Sequence, residues 1–176
     1  AAANEDLPSA PVASDDSSAA PAAEETVAAT SGRIVQVHTD VLQVAIDLRG
    51  GDIVEVALPE HLEDIDNPDE PFVLLERNER RTYVAQSGLI GPDGIDSEQR
   101  ARFSASQQRY NLEPGDDSLT VDLAWEGNNG VRITKRFTFK RGDYVTRVSY
   151  LVENRGDTAW QGNLFGQIKR DSSMDP

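Results

Sequence analysis

Apolar and polar residues alternate with period two along most of the chain from Gly32 onward, and the longest such stretch runs from Ser118 to Asn154. Leu119, Val121, Leu123 and Trp125 alternate with Thr120, Asp122, Ala124 and Glu126. Val131, Ile133, Phe137 and Phe139 then alternate with Arg132, Thr134, Arg136, Thr138 and Lys140. Alternation over that many residues marks strands with one buried face. Gly127-Asn128-Asn129-Gly130 and Arg141-Gly142-Asp143 supply the turn residues, after which Tyr144, Thr146, Val148, Tyr150 and Val152 resume the pattern. This predicts an antiparallel meander. Lys135 is the single charge on the apolar side of its middle strand, so it is expected near the sheet edge or snorkelling past its neighbours.

A second meander is predicted from Gly32. Val35 and Val37, then Leu42, Val44, Ile46 and Leu48, then Val54, Val56 and Leu58 form the apolar positions of three strands. Thr39-Asp40 and Gly50-Gly51-Asp52 separate them, and Pro59, without an amide to donate, is expected to stop the third. Residues 59–71 are a carboxylate-rich excursion, and 72–76 and 82–87 read as two short strands. The segment 88–99 reads as loop, 100–112 as a weak strand or irregular connection, and Trp160–Ile168 as a final strand. No helix of convincing length and periodicity is present. Eight or nine strands in about 140 residues, joined by turns, indicate an all-β sandwich. Nothing covers the last strand's edge, as expected of an incomplete fragment cut inside a larger domain.

Composition divides the chain in two. Residues 1–31 hold six acids and neither Lys nor Arg among Ala, Ser and Pro, which reads as a flexible linker or as a terminus without a role. Residues 32–176 are the folded part. A net charge of −14 makes nucleic acid and anionic lipid poor partners. Cysteine is absent, so no disulfide framework exists. The longest apolar run, Phe72–Leu75, is far below the roughly 18 residues of a membrane helix, so no span is expected within this chain. The chain begins on Ala with no basic-plus-apolar leader and is expected to be a processed product or an excised part of a longer protein.

Candidate chemistry is sparse. The two histidines, His38 and His61, lie at a strand end and in the acidic excursion. His61 with Glu63, Asp64 and Asp66 fits no metal-ligand spacing, and Pro68 and Asp69 break a calcium-loop pattern. The segment Gly88–Gly94 has evenly spaced glycines, a proline and no following lysine or helix, unlike a phosphate-binding loop. No nucleophile elbow and no glycosylation sequon occur, and no catalytic, metal or cofactor residue is assigned. One basic strand face, Arg132, Arg136 and Lys140 with Arg147 beside it, reads as a docking surface, an anion site, or simply the wet side of a strand facing Asp122 and Glu126. Trp125 and Trp160 read as core residues or as ligand platforms.

The strings GRIVQVHTDVLQVAIDLRGGDIVEVALP, PFVLLE, TYVAQSGL, TKRFTFKRGDYVTRVSYLVENRGD and FGQIKR, colinear over about residues 32–170, resemble the large periplasmic domain of the YidC membrane insertase family. The resemblance implies an antiparallel two-sheet β-supersandwich, the galactose-mutarotase-like fold shared with aldose-1-epimerases. It further implies exposure at the periplasmic face of the bacterial inner membrane. The family's insertion machinery, a membrane groove and a cytoplasmic hairpin, is not in this segment, so a non-catalytic scaffold or docking module is expected. Its partners through the full-length protein are the SecDF accessory complex of the Sec translocon and inserting membrane proteins. The competing expectation is a carbohydrate-binding or aldose-1-epimerase-like protein, since fold alone does not set function. A mutarotase site needs a histidine and a carboxylate in one cleft, and both histidines fall outside the central meander.

Overall fold

The computed structural model describes residues 32–62, 66 and 69–172; the linker expected over 1–31 lies outside the described residues. The alternation becomes ten strands: β1 (Ile34–His38), β2 (Gln43–Asp47), β3 (Asp52–Leu62), β4 (Pro71–Arg77), β5 (Thr82–Ile90), β6 (Arg109–Asn111), β7 (Ser118–Glu126), β8 (Val131–Lys140), β9 (Arg147–Asn154) and β10 (Asn163–Arg170). Seven form one sheet in the order β10-β5-β4-β3-β2-β1-β6, and β7-β8-β9 form a second. All pairs are antiparallel except β1 with β6. Both expected meanders are present, and no described residue is helical.

The two layers meet over one apolar core. Val35, Val37, Val44 and Ile46 from the large sheet pack against Val121, Leu123, Phe137 and Phe139 from the small one, all at most 1% exposed. These are the alternating positions of the sequence pattern, and fully burying each such side chain stabilises by about 1.5–3 kcal/mol. On the far side of β7, Ser104 and Ala124 exchange two backbone hydrogen bonds of 2.9 Å, which covers that strand's edge.

The structure departs from the pattern at defined places. The β2–β3 ladder shifts register between Ala45 and Ile46, which turns Val54 away from the main core to pack with Ala45 and Val84 on the other side of the sheet. The strict Val54, Val56, Leu58 alternation therefore fails, because a bulge inserts one residue. Strand β3 also continues past Pro59 to Leu62, since its ladder to β4 is irregular between Leu58 and Leu62, where a missing amide costs nothing. Strand β9 starts at Arg147 rather than Tyr144. The Asp143 carboxylate accepts the Val145 amide at 2.9 Å and the Asp40 carboxylate accepts that of Gly142 at 2.8 Å, so the chain is held in a turn and leaves Tyr144 and Val145 exposed.

Candidate functional site

Chemistry concentrates at one seam of the large sheet. The turn before β3 places Gly50 and Gly51 at φ of 79° and 62°, a conformation that glycine reaches without strain. Beyond it, β3 meets β5 through a single ladder pair, Ile53 with Ala85, and the carbonyls of Gly50 and Ser87 lie past that pair. Two cations donate to both oxygens. Lys135 Nζ, from β8 of the other sheet, is 2.9 Å from each; Arg100 Nη2, from the β5–β6 connection, is 3.1 Å from Gly50 O and 2.9 Å from Ser87 O.

The cations are balanced by two carboxylates. Arg100 bonds Asp52 and has Nη1 3.2 Å from Asp96 Oδ1, and Gln86 donates to Asp52 at 3.0 Å. Asp96 also accepts the Leu89 and Ala101 amides at 2.8 and 3.0 Å, which fixes the connection against β5. The aromatic faces of Phe137 and Tyr150 lie 5.6 and 5.3 Å from Lys135 Nζ, and Phe165 lies 5.3 Å from the Arg100 guanidinium. Gly88 stands in this cluster because any Cβ there would come within 2.5 Å of the Asp96 carboxylate and 2.7 Å of Arg100 Nη1. Burial lowers the Lys135 ammonium to about 7 against the attraction of Asp52, and burial raises the Asp52 carboxyl against Arg100 and Lys135. Burial also raises the Tyr150 hydroxyl, which sits 3.3 Å from Ser87 Oγ.

Lys135 is therefore neither near an edge nor snorkelling. It is wholly buried on the central strand of its sheet, and its length lets it cross the inter-sheet space to the carbonyls of Gly50 and Ser87.

Beside this seam the sandwich opens. A cleft of about 490 Å3 separates Ile53, Ala85 and Ser87 on one wall from Phe137, Thr146 and Val148 on the other, with Gly166 and Ile168 of β10 at its outer margin. The register of β10 sets Leu164, Gly166 and Ile168 opposite Leu89, Ser87 and Ala85, so these residues face the small sheet. Leu164 and Ile168 are nonetheless 66% and 60% exposed. Both β9 and β10 are edge strands, and the cleft lies between them.

The residues singled out from the sequence are dispersed around this seam. Arg132, Arg136 and Lys140 share the outer face of the small sheet. Arg136 makes a two-pronged bond to Asp122 at 2.8 Å for each arm, which lowers the Asp122 carboxyl, and Arg132 lies 3.5 Å from Glu126. Trp125 and Trp160 are part-buried and pack on one cluster of Leu89, Val131 and Ile133. His61 bonds the Tyr144 hydroxyl at 3.1 Å, tying β3 to the β8–β9 turn; Glu63 and Asp64, named with it from the sequence, lie outside the described residues. Among the described residues no group of three or more His, Asp or Glu could hold a metal ion. Arg100, Asp96 and Asp52 were not legible as a site, because Asp52 on β3 is more than forty residues from the connection that carries Asp96 and Arg100; the one signal was Lys135 on an apolar face.

The chain matches the family described as the YidC periplasmic domain over residues 34–176. The chain belongs to that family. Proteins named membrane protein insertase YidC are similar to it: that of Alcanivorax borkumensis is 50% identical over 83% of this chain, that of Cellvibrio japonicus 49% over 88%, and that of Pseudomonas entomophila 46% over 99%. The chain spans 25%, 29% and 30% of their respective lengths. Family membership places it at the periplasmic face of the inner membrane, and the two-sheet all-β architecture agrees with the sandwich expected.

Proposed function

We propose that this chain is the N-terminal part of a larger periplasmic β-sandwich, residues 32–176 following a linker over 1–31, and that it serves a membrane protein insertase as a non-catalytic scaffold and docking module. The observation that carries the reading is the open side. Both layers end there in unpaired strands, and apolar residues on the inward face of β10 are two-thirds exposed, as when neighbouring strands remain to be added. The relatives, more than three times as long, supply chain enough for that addition. The non-catalytic reading is supported by the buried charges, which are matched to one another and to backbone carbonyls rather than aimed into the cleft.

Inserting membrane proteins and the SecDF accessory complex are then partners of the whole protein. The outer face of the small sheet, with Arg132, Arg136 and Lys140, is its docking surface, while Trp125 and Trp160 pack on the apolar side of that sheet. In the whole insertase, Arg132→Glu with Lys140→Glu is expected to weaken SecDF co-purification at least threefold at low salt while the domain stays folded. Unchanged co-purification overturns the docking surface. Saturable sugar binding or mutarotase turnover by the complete domain overturns the scaffold reading.

A further inference from the structure

Lys135 Nζ and Arg100 Nη2 converge on the carbonyls of Gly50 and Ser87, and these contacts fasten a seam that has one ladder pair of its own. The same seam is the inner wall of the cleft, because Gly51 and Ser87 belong to both. The charged and titratable groups facing Lys135 are Asp52 from β3, Asp96 and Arg100 from the β5–β6 connection, and Tyr150 from β9, while its cross-strand neighbour on β7 is the apolar Leu123. An ammonium carries three N–H donors and a neutral amine two. Lys135 meets two backbone oxygens, with aromatic faces beside it, and is 0% exposed. Any opening that returns the amine to water restores its affinity for a proton.

We propose that opening of this seam, and with it the deepening of the cleft, is coupled to uptake of one proton by Lys135. The closed seam holds the amine at about 7 against an ordinary 10.5, so between those values the closed state binds fewer protons than the open one. Opening is easiest, and independent of this group, below about 7. It becomes harder as pH rises towards 10.5, by about tenfold for each pH unit. Asp52, raised by burial, pulls the opposite way wherever it titrates. A Lys135→Met chain retains Asp52, so the difference between the two proteins isolates the amine.

The test is native-state amide exchange of the 176-residue chain between pH 7.5 and 8.5, with Lys135→Met alongside. The amides of Gly50, Leu89 and Ala101, which bond within the seam, report its opening. Their opening constants are expected to fall about tenfold over that unit in the wild type and to stay flat in the variant. These amides are also expected to exchange faster than those of β7 and β8. A flat wild-type profile, or a slope confined to the slowest amides of β7 and β8, overturns the coupling. If Lys135→Met does not fold, the wild-type slope is read together with the Lys135 ε-carbon resonance. A resonance titrating near 7 supports the proposal, and one titrating above 10 overturns it.

Discussion

Arg100→Met tests the charge cluster through its more connected cation. The substitution keeps an unbranched side chain and removes the guanidinium, which lies over the Phe165 ring and is 2% exposed. The carbonyls of Gly50 and Ser87 keep Lys135, and Asp96 keeps two backbone amides, so neither is orphaned. Asp52 is left with Gln86 and the nearby Lys135 charge. Breaking one member of a buried ion pair typically costs about 3–5 kcal/mol, and the surviving contacts put this change at the lower end, about 3 kcal/mol. Asp52→Asn in the Arg100→Met background removes the stranded charge, so the double variant is expected to lose less than the sum of the singles by at least about 1 kcal/mol. The loss is also pH-dependent. The Asp52 carboxyl is already raised above 3.8 in the wild type and removing Arg100 raises it further, so the variant's deficit grows as pH rises past the wild type's own folded value and fades below it. Urea denaturation of the four proteins at pH 4 and pH 7 measures all of this. Additive singles, or an Arg100→Met loss under about 1 kcal/mol at pH 7, would refute the reasoning.

Two other outcomes rest on the same geometry. Gly88→Ala drives a methyl into Asp96, Arg100 and Phe165, and is expected to destabilise by more than the 1–3 kcal/mol typical of overpacking, with perturbed Leu89 and Ala101 amide resonances. Arg136→Ala removes a well-formed but solvent-exposed pair with Asp122, so it should shift the urea midpoint only slightly, and that shift should shrink in 0.5 M salt.

The departures from the alternation pattern share a cause. Strand existence follows from local alternation, so β7, β8 and their turn were legible residue by residue. Register irregularities are set by pairs distant in sequence. The bulge at Val54 and the run of β3 past Pro59 depend on how β2 and β4 lie beside β3, which no window of neighbouring residues encodes. The short parallel contact of β6 with β1 joins Arg109 to Gln36 across more than seventy residues, and three residues carry too little periodicity to announce it. The basic strand face was visible as charge, but whether Arg136 stood alone or clasped Asp122 was a question of cross-strand registry.

The amino-acid order by itself determined that this protein is built of strands with one oily face, that its acidic leading segment differs in kind from the rest of the chain, and that it resembles a periplasmic insertase domain. Those properties are written in nearest neighbours and in composition. Tertiary structure alone decided that Lys135 lies at the centre, because only the closing of two sheets brings a lysine from β8 and an arginine from a loop onto the carbonyls of Gly50 and Ser87, with two carboxylates pairing the arginine. A charge on an apolar face is an anomaly in one dimension, and it becomes a fastening once burial makes every unsatisfied oxygen nearby expensive to leave alone.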